Sequence, residues 1–190
     1  MQYPHQIETD RLLLRPTRAS DADRAFEIQS DWRVTRMLRM ASFPPDQKEI
    51  AAWFADHRRE WVESEAYRFA VELQGQFIGL VDIDEIRQNT GELGYWFEQA
   101  TWGRGFAFEA AQAAVRFAFN HVGLSQLRSG HAIDNPGSQR VLLKLGFHPL
   151  DIVPRLSCSR GEEIMQQQYA LSNFNKGASQ KTELVKKSLI

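Results

Sequence analysis

A short glycine-bearing loop, Trp102-Gly103-Arg104-Gly105-Phe106-Ala107, constrains this chain more than any other feature. Ahead of it, Glu92 to Phe97 alternates as a strand does, with Glu92, Gly94 and Trp96 on one face and Leu93, Tyr95 and Phe97 on the other. Behind it comes the longest helical pattern, in which Ala107, Ala110, Ala111, Ala114, Val115 and Ala118 recur along one helix face. Small residues on that stripe imply close packing against a sheet. Glycines permit a tight turn and a close approach of backbone to ligand, and a helix start presents free N–H groups with a partial positive charge. Strand, loop and helix start together suit a pyrophosphate, or else they form a plain β–α connection with two turn glycines.

Two common phosphate-binding patterns are not met. The nucleotide-kinase loop needs Gly-Lys-Ser/Thr, whereas Gly105 precedes Phe106-Ala107. The dinucleotide fingerprint needs a third glycine and an acidic residue about 20 positions later, and His121 to Gly130 has no Asp or Glu.

Around the loop, strand and helix patterns mix along 190 residues, a length that favours one domain. A first strand is expected at Arg11 to Leu14, followed by a helix capped near Asp21/Asp23 and running through Ile28. Phe43-Pro44-Pro45-Asp46 opens a second helix, with Ile50, Trp53, Phe54 and His57 at helical spacing towards Trp61. Arg68 to Leu73 and Phe77 to Asp84 read as a hairpin about Gln74-Gly75-Gln76. Leu127 to Ile133 is a strand, Ser138 to Leu145 a helix stopped by Gly146, and Leu150 to Leu156 and Ile164 to Leu171 are late strands. The pattern implies an α/β or α+β sandwich, a central sheet with helices on its faces.

Lys plus Arg is 23 against 24 for Asp plus Glu, so no basic excess announces a nucleic-acid partner. The charge is uneven, however. Four lysines and one glutamate follow Asn173, and removing that +3 from the total of −1 leaves −4 on residues 1 to 172. The single cysteine, Cys158, excludes an intrachain disulfide and a multi-cysteine zinc site. His5, His57, His121, His131 and His148 form no pair at metal spacing, so no metal is expected. Without a secretory signal or an apolar span, the expectation is a cytoplasmic protein off the membrane.

Four blocks, in order, resemble the GNAT superfamily of acetyl-CoA-dependent N-acetyltransferases, within it the RimJ/RimL type. Thr9-Asp10-Arg11-Leu12-Leu13-Leu14-Arg15-Pro16 resembles the first strand of that family, and Gly91-Glu92-Leu93-Gly94-Tyr95-Trp96 resembles its fourth. Trp102 to Ala110 resembles the acyl-CoA loop, and Asn135-Pro136-Gly137-Ser138 through Gly146-Phe147 the second cofactor motif. The likeness covers roughly residues 5 to 172 and implies a catalytic domain over 1–172 with a basic tail over 173–190. Within the loop, Gly105 and Ala107 match the superfamily pattern, while its first position is Trp102 rather than Gln or Arg, a departure the RimJ/RimL type shares.

The resemblance implies a mixed sheet with a splayed strand pair and helices on both faces. It implies that backbone N–H groups of Gly103, Arg104, Gly105, Phe106 and Ala107 bind the CoA pyrophosphate, and that Phe97 and Glu98 offer main-chain partners to the pantetheine arm. Asn135 resembles the asparagine that contacts that arm, although Asn before Pro136 is also a good helix cap. Ser138 also belongs to the expected cofactor set.

Acetyl transfer to an amine needs a base, because a primary ammonium has a reference pKa near 10.4 and an α-amine about 8. Glu92 is the candidate, and Asp82 and Asp84, sharing one face of the preceding strand, are its possible replacements or assistants. An acid helps the departing thiolate. The tyrosine many superfamily members carry falls at Leu142 here, so Ser138 is the candidate acid, acting directly or through water. Trp32, Trp53 and Trp61 are expected mostly in core or rim; the resemblance implies an acceptor pocket beside these helices, which one of them is placed to line as the alternative.

The expected activity is acetyl transfer from acetyl-CoA to a primary amine by direct attack, since no Cys/His or Ser/His arrangement supports an acyl-enzyme. The acceptor is either a protein N-terminus or a small-molecule amine, and a homodimer is expected as a possible assembly. The non-enzymatic alternative is an acyl-CoA-binding regulatory module.

Overall fold

A computed structural model describes residues 6–173 of the chain. The expected tail, with the helix considered over Lys181 to Lys187, lies outside the described residues, as does His5. Eight strands form one sheet in the spatial order β1 (Ile7–Glu8), β2 (Leu13–Pro16), β3 (Tyr67–Leu73), β4 (Gln76–Arg87), β5 (Thr90–Phe97), β6 (Gln126–Ala132), β8 (Glu162–Ser172) and β7 (His148–Ser157). Every pairing is antiparallel except that of β5 with β6. The helices are α1 (Ala22–Gln29), α2 (Trp32–Thr35), α3 (Gln47–Glu63), α4 (Phe106–Phe117) and α5 (Pro136–Lys144).

Strand alternation divides the interior into two cores. Val81, Ile83, Leu93 and Phe97 turn to one face, where they meet the alanine stripe of α4 and Leu142 of α5. Ala70, Leu80 and Trp96 turn to the other, against Ala25 and Ile28 of α1 and Ile50 and Phe54 of α3. The mixed sheet thus carries helices on both faces. Of the three helical tryptophans, Trp53 packs on the second core, Trp61 reaches the first, and Trp32 remains 40% exposed.

Most sequence-expected elements are present with shifted edges. Asp46 caps α3, its Oδ1 accepting from the Lys48 and Glu49 N–H groups at 2.7 and 3.2 Å, which stabilises a helix by about 1 kcal/mol. Asp21 does not cap α1 as expected. Its carboxylate is buried, gripped by Arg15 at 2.8 Å on each oxygen and by the Arg18 N–H. The strand expected first, at Arg11 to Leu14, is β2 and begins two residues late with Arg11 held by Glu109, and the two-residue β1 ahead of it is not foreseen by the pattern. α2 escapes a periodicity search because four residues make barely one turn.

The feature that organises the rest is the short β5–β6 ladder. It holds only at Thr90↔Gln126, Gly91↔Leu127 and Glu92↔Arg128. From there β5 stays with β4 as far as Phe97↔Gly79, while β6 stays with β8 as far as Ala132↔Gln166. The sheet therefore opens into a wedge, pinned at its apex by the Ser129 hydroxyl donating to the Leu93 carbonyl at 2.9 Å. The strand counted fourth by resemblance is β5, so the splayed pair lies where expected.

Candidate active site

The glycine loop borders the open end of this wedge. Gly103 and Gly105 have φ of 74° and 83°, a left-handed backbone that favours glycine. Gly105 is the N-cap of α4, and the N–H groups of Gly103, Arg104, Gly105, Phe106 and Ala107 have no acceptor among the described residues. Five adjacent open donors at a helix start fit a polyanion. Arg11 braces them, donating to the Arg104 carbonyl at 3.0 Å and to Glu109 at 2.7 Å. The Arg11 and Arg104 guanidiniums also lie 4.4 and 4.8 Å from the centroid of the Phe106 ring. Burial alone would raise the Glu109 carboxyl, but hydrogen bonds from Thr9 and Arg11 hold it below the usual range. The acid in this helix turn is thereby bound to the β1–β2 connection. Sequence reasoning missed Arg11, whose signal was its place in the first matched block.

Phe97 and Glu98 are already well engaged. The Phe97 carbonyl accepts from the Trp102 indole at 2.9 Å, the Glu98 N–H donates to the Ile78 carbonyl at 2.8 Å, and the Glu98 carbonyl takes the Thr101 N–H and hydroxyl. The Glu98 carboxylate pairs with Arg24 at 2.7 Å. Strand alternation turns the main chain of Tyr95 the same way as that of Leu93 and Phe97, into the wedge. Tyr95 therefore offers the gap an N–H and a carbonyl that sequence reasoning did not single out.

Asn135 caps α5, its Oδ1 accepting from the Ser138 N–H at 3.1 Å. The Ser138 hydroxyl lies 2.7 Å from the Tyr95 hydroxyl. Burial drives the Tyr95 phenol above its ordinary range, so this Tyr–Ser pair stays protonated. A tyrosine thus stands beside the candidate acid after all, supplied by β5 rather than α5, and only tertiary structure brings the two together.

On the opposite face of β5 lies a carboxylate cluster. Asp84 is the cross-strand partner of Glu92, and Asp82 that of Gly94. Arg68 of β3 binds Glu60 of α3 through Nε at 2.7 Å and Nη2 at 3.0 Å, while its Nη1 contacts Asp82 and, at 3.2 Å, Asp84. Asp82 is 7% exposed, far from the solvated polar group its strand position suggests. It fits because residue 94 is glycine, where a Cβ would come within 2.4 Å of an Asp82 carboxylate oxygen. One guanidinium offsets three acids, so burial first and mutual repulsion next push the Asp82 carboxyl upward. Burial likewise raises Asp84. Glu92 is an exposed residue, yet its carboxyl is partly desolvated. Desolvation and then Asp84 raise its pKa, while Arg39 and Arg155 pull the other way.

Outside the wedge, His57 is packed between Trp53 and Phe54 with Nδ1 2.8 Å from the Thr17 hydroxyl, a structural role. A cavity of about 880 Å³ between the β1–β2 connection and α4 is lined by Glu8, Asp10 and Glu109 beside Arg116, a poor match for a polyphosphate. Among the described residues, no cluster of three His, Cys, Asp or Glu side chains is arranged for a metal ion. No described helix is long and apolar enough to cross a membrane.

The sequence profile of the acetyltransferase (GNAT) domain matches residues 11–148. The chain is 27% identical to the uncharacterized N-acetyltransferase YoaA of Bacillus subtilis, over 87% of this chain and 95% of that protein. A candidate ribosomal-protein-serine acetyltransferase of Vibrio cholerae superposes with a TM-score of 0.74 at 26% identity, covering 91% of this chain and 100% of the other. RimJ of Mycobacterium smegmatis, in complex with CoA-disulfide, shares the fold at a TM-score of 0.75 and 23% identity, over 85% and 81% of the two chains.

Proposed function

The chain belongs to the GNAT acetyltransferase family and is an acetyl-CoA-dependent N-acetyltransferase, and from that premise we propose that a primary amine attacks directly, with Glu92 as base and Ser138 as acid. One observation carries this assignment. The wedge beyond Glu92 opens with a carboxylate on one face, a hydroxyl pair on the other and five open N–H donors at its mouth.

The residues present fit acetyl-CoA. Open donors from Gly103 to Ala107 suit the pyrophosphate, and Arg104 adds positive charge beside them. Phe97, Glu98, Asn135 and Ser138 are assigned to the pantetheine arm, but the Phe97 carbonyl and the Glu98 N–H and carbonyl are already bonded within the chain, so the main-chain partners fall to Tyr95. The Asn135 carbonyl is committed to its cap, which leaves the side-chain amide for a cofactor contact. Acetyl-CoA, when bound, supplies a thioester carbonyl and a thiolate leaving group.

Glu92 removes the ammonium proton, directly or through a water, and its raised pKa improves it as a base over an ordinary carboxylate. The Tyr95 main-chain N–H, facing the gap, is the donor for developing negative charge on oxygen, a contact usually worth a few kcal/mol. Ser138 gives a proton to the departing sulfur, with the Tyr95 hydroxyl bonded behind it. We assign the catalytic domain to residues 1–172, consistent with β8 ending at Ser172, and treat 173–190 as an appended basic tail.

The acceptor is either a protein N-terminus or a small amine. Likeness to the Vibrio cholerae protein supports a ribosomal-protein serine N-terminus as one acceptor to try. The test is amine-dependent thiol release from acetyl-CoA. Glu92→Gln is expected to lower kcat/KM by about 10²- to 10⁴-fold while acetyl-CoA affinity holds. Full turnover in that variant contradicts the base assignment. Cofactor binding without turnover on any amine marks an acyl-CoA-binding module instead.

A further inference from the structure

The wedge is tied at both ends. At its apex the two halves of the sheet share the three β5–β6 pairs. At its open end they meet again through Asp134, which lies just past the last residue of β6, Ala132. Arg160, in the β7–β8 turn, holds that carboxylate as a two-pronged fork, Nη1 on one oxygen at 3.0 Å and Nη2 on the other at 2.9 Å. Its Nε donates to the Arg36 carbonyl at 2.8 Å, and the Arg36 guanidinium reaches back to Asp134 at 2.6 Å. The Cys158 N–H adds a bond to the Arg39 carbonyl at 2.8 Å.

The members of this tie come from opposite sides of the gap. Arg36 follows α2, whose Val34 is buried with Leu80 and Trp96 in the core on the Glu92 face of β4 and β5. Asp134 directly precedes Asn135, the cap of α5, whose first turn presents Ser138 from the other face. The tie therefore joins the chain packed on the side of the base to the helix that carries the acid. The Arg160 side chain is 10% exposed and that of Asp134 41%. Ion pairs so open to water contribute little to stability, but a two-pronged guanidinium–carboxylate contact sets geometry closely.

We infer that Arg160, with Arg36 and Asp134, forms a positioning set that holds the open end of the wedge at the width at which an amine facing Glu92 meets a thioester beside Ser138. The inference rests on the acetyl-transfer assignment above and adds residues that act through the placement of Glu92 and Ser138. Reaction between two bound groups is steeply sensitive to their separation, and a misplacement of about 1 Å costs up to about 10²-fold in rate. Acetyl-CoA affinity depends far less on the tie, because the open donors of Gly103 to Ala107 lie between β5 and α4, outside it.

The experiment measures thiol release by the full chain, with acetyl-CoA and amine varied separately. The amine is whichever of a peptide with an N-terminal serine, a free amino acid or a polyamine the wild type turns over fastest. Arg160→Gln is expected to lower kcat by about 10- to 100-fold while acetyl-CoA affinity by calorimetry changes less than about threefold, which also marks a folded protein. Arg160→Lys keeps the charge without the fork and is expected to stay nearly as impaired. Arg36→Gln leaves the fork on Asp134 in place, so its kcat is expected between the two, and it carries the test if Arg160→Gln does not fold. Unchanged kcat in these folded variants, full recovery in Arg160→Lys, or kcat and acetyl-CoA affinity falling by the same factor overturns the inference alone. No thiol release by the wild type with any amine overturns the acetyl-transfer assignment and the inference with it.

Discussion

Glu92 and Asp84 stand opposite each other across the β4–β5 ladder, and after desolvation the charge of Asp84 raises the Glu92 carboxyl further. In the base role proposed for it Glu92 must be ionised, so kcat/KM is expected to rise with pH through its raised pKa. Asp84→Asn removes one of the charges that raise it, and the acid limb of the profile is expected to move to lower pH. An unmoved limb would separate the two residues. A different titration governs stability. Burial first, and Arg68 next, hold the His57 pKa down at about 4 from 6.5, so His57 folds neutral. Its contribution is complete above about pH 6.5 and is lost as pH falls towards 4, by about 3 kcal/mol at most. His57→Phe lacks this loss. Urea titrations should therefore find the wild-type advantage over the variant shrinking between about pH 7 and pH 4. Alternation alone put Asp82 and Asp84 on one face of their strand, and only the β4–β5 register brings Glu92 to the same side. Arg68 and Tyr95 were invisible as partners, because their contacts with Asp82 and Ser138 join residues 14 and 43 positions apart.

Elements with strong periodicity were the legible ones. The alanine stripe of α4, the Asp46 cap and the β3–β4 hairpin all follow from local pattern. α2 and the displaced start of β2 do not, the first being too short and the second decided by the Arg11–Glu109 contact. Gly94 within β5 marks a place where local propensity yields to tertiary need. A bare strand glycine reads as a weakness, yet here it admits the Asp82 carboxylate that Arg68 fixes. Because that carboxylate is buried and bound, it cannot swing aside. Gly94→Ala is expected to cost about 1–3 kcal/mol of stability by urea unfolding, and a neutral result would mean the Arg68 cluster yields freely.

The sheet as a whole works by an interruption. Three residue pairs join the two halves between β5 and β6, and everything beyond them is opening. No single-sequence pattern announces where a ladder stops, so the wedge entered only as an implication of family resemblance. Charge follows the same division of labour. The body carries −4 overall, yet positive groups gather at the loop, where Arg11 and Arg104 lie over the Phe106 ring. An anionic cofactor is served by that local site, against the sign of the net charge. The most direct measurement is a crystal structure with a non-hydrolysable thioether analogue of acetyl-CoA. The pyrophosphate is expected within hydrogen-bond distance of the Gly103 to Ala107 N–H groups, with the acyl end between β5 and β6, Glu92 on one side and Ser138 on the other. A pyrophosphate bound instead in the cavity beside Glu8, Asp10 and Glu109, with the wedge unfilled, would contradict the account.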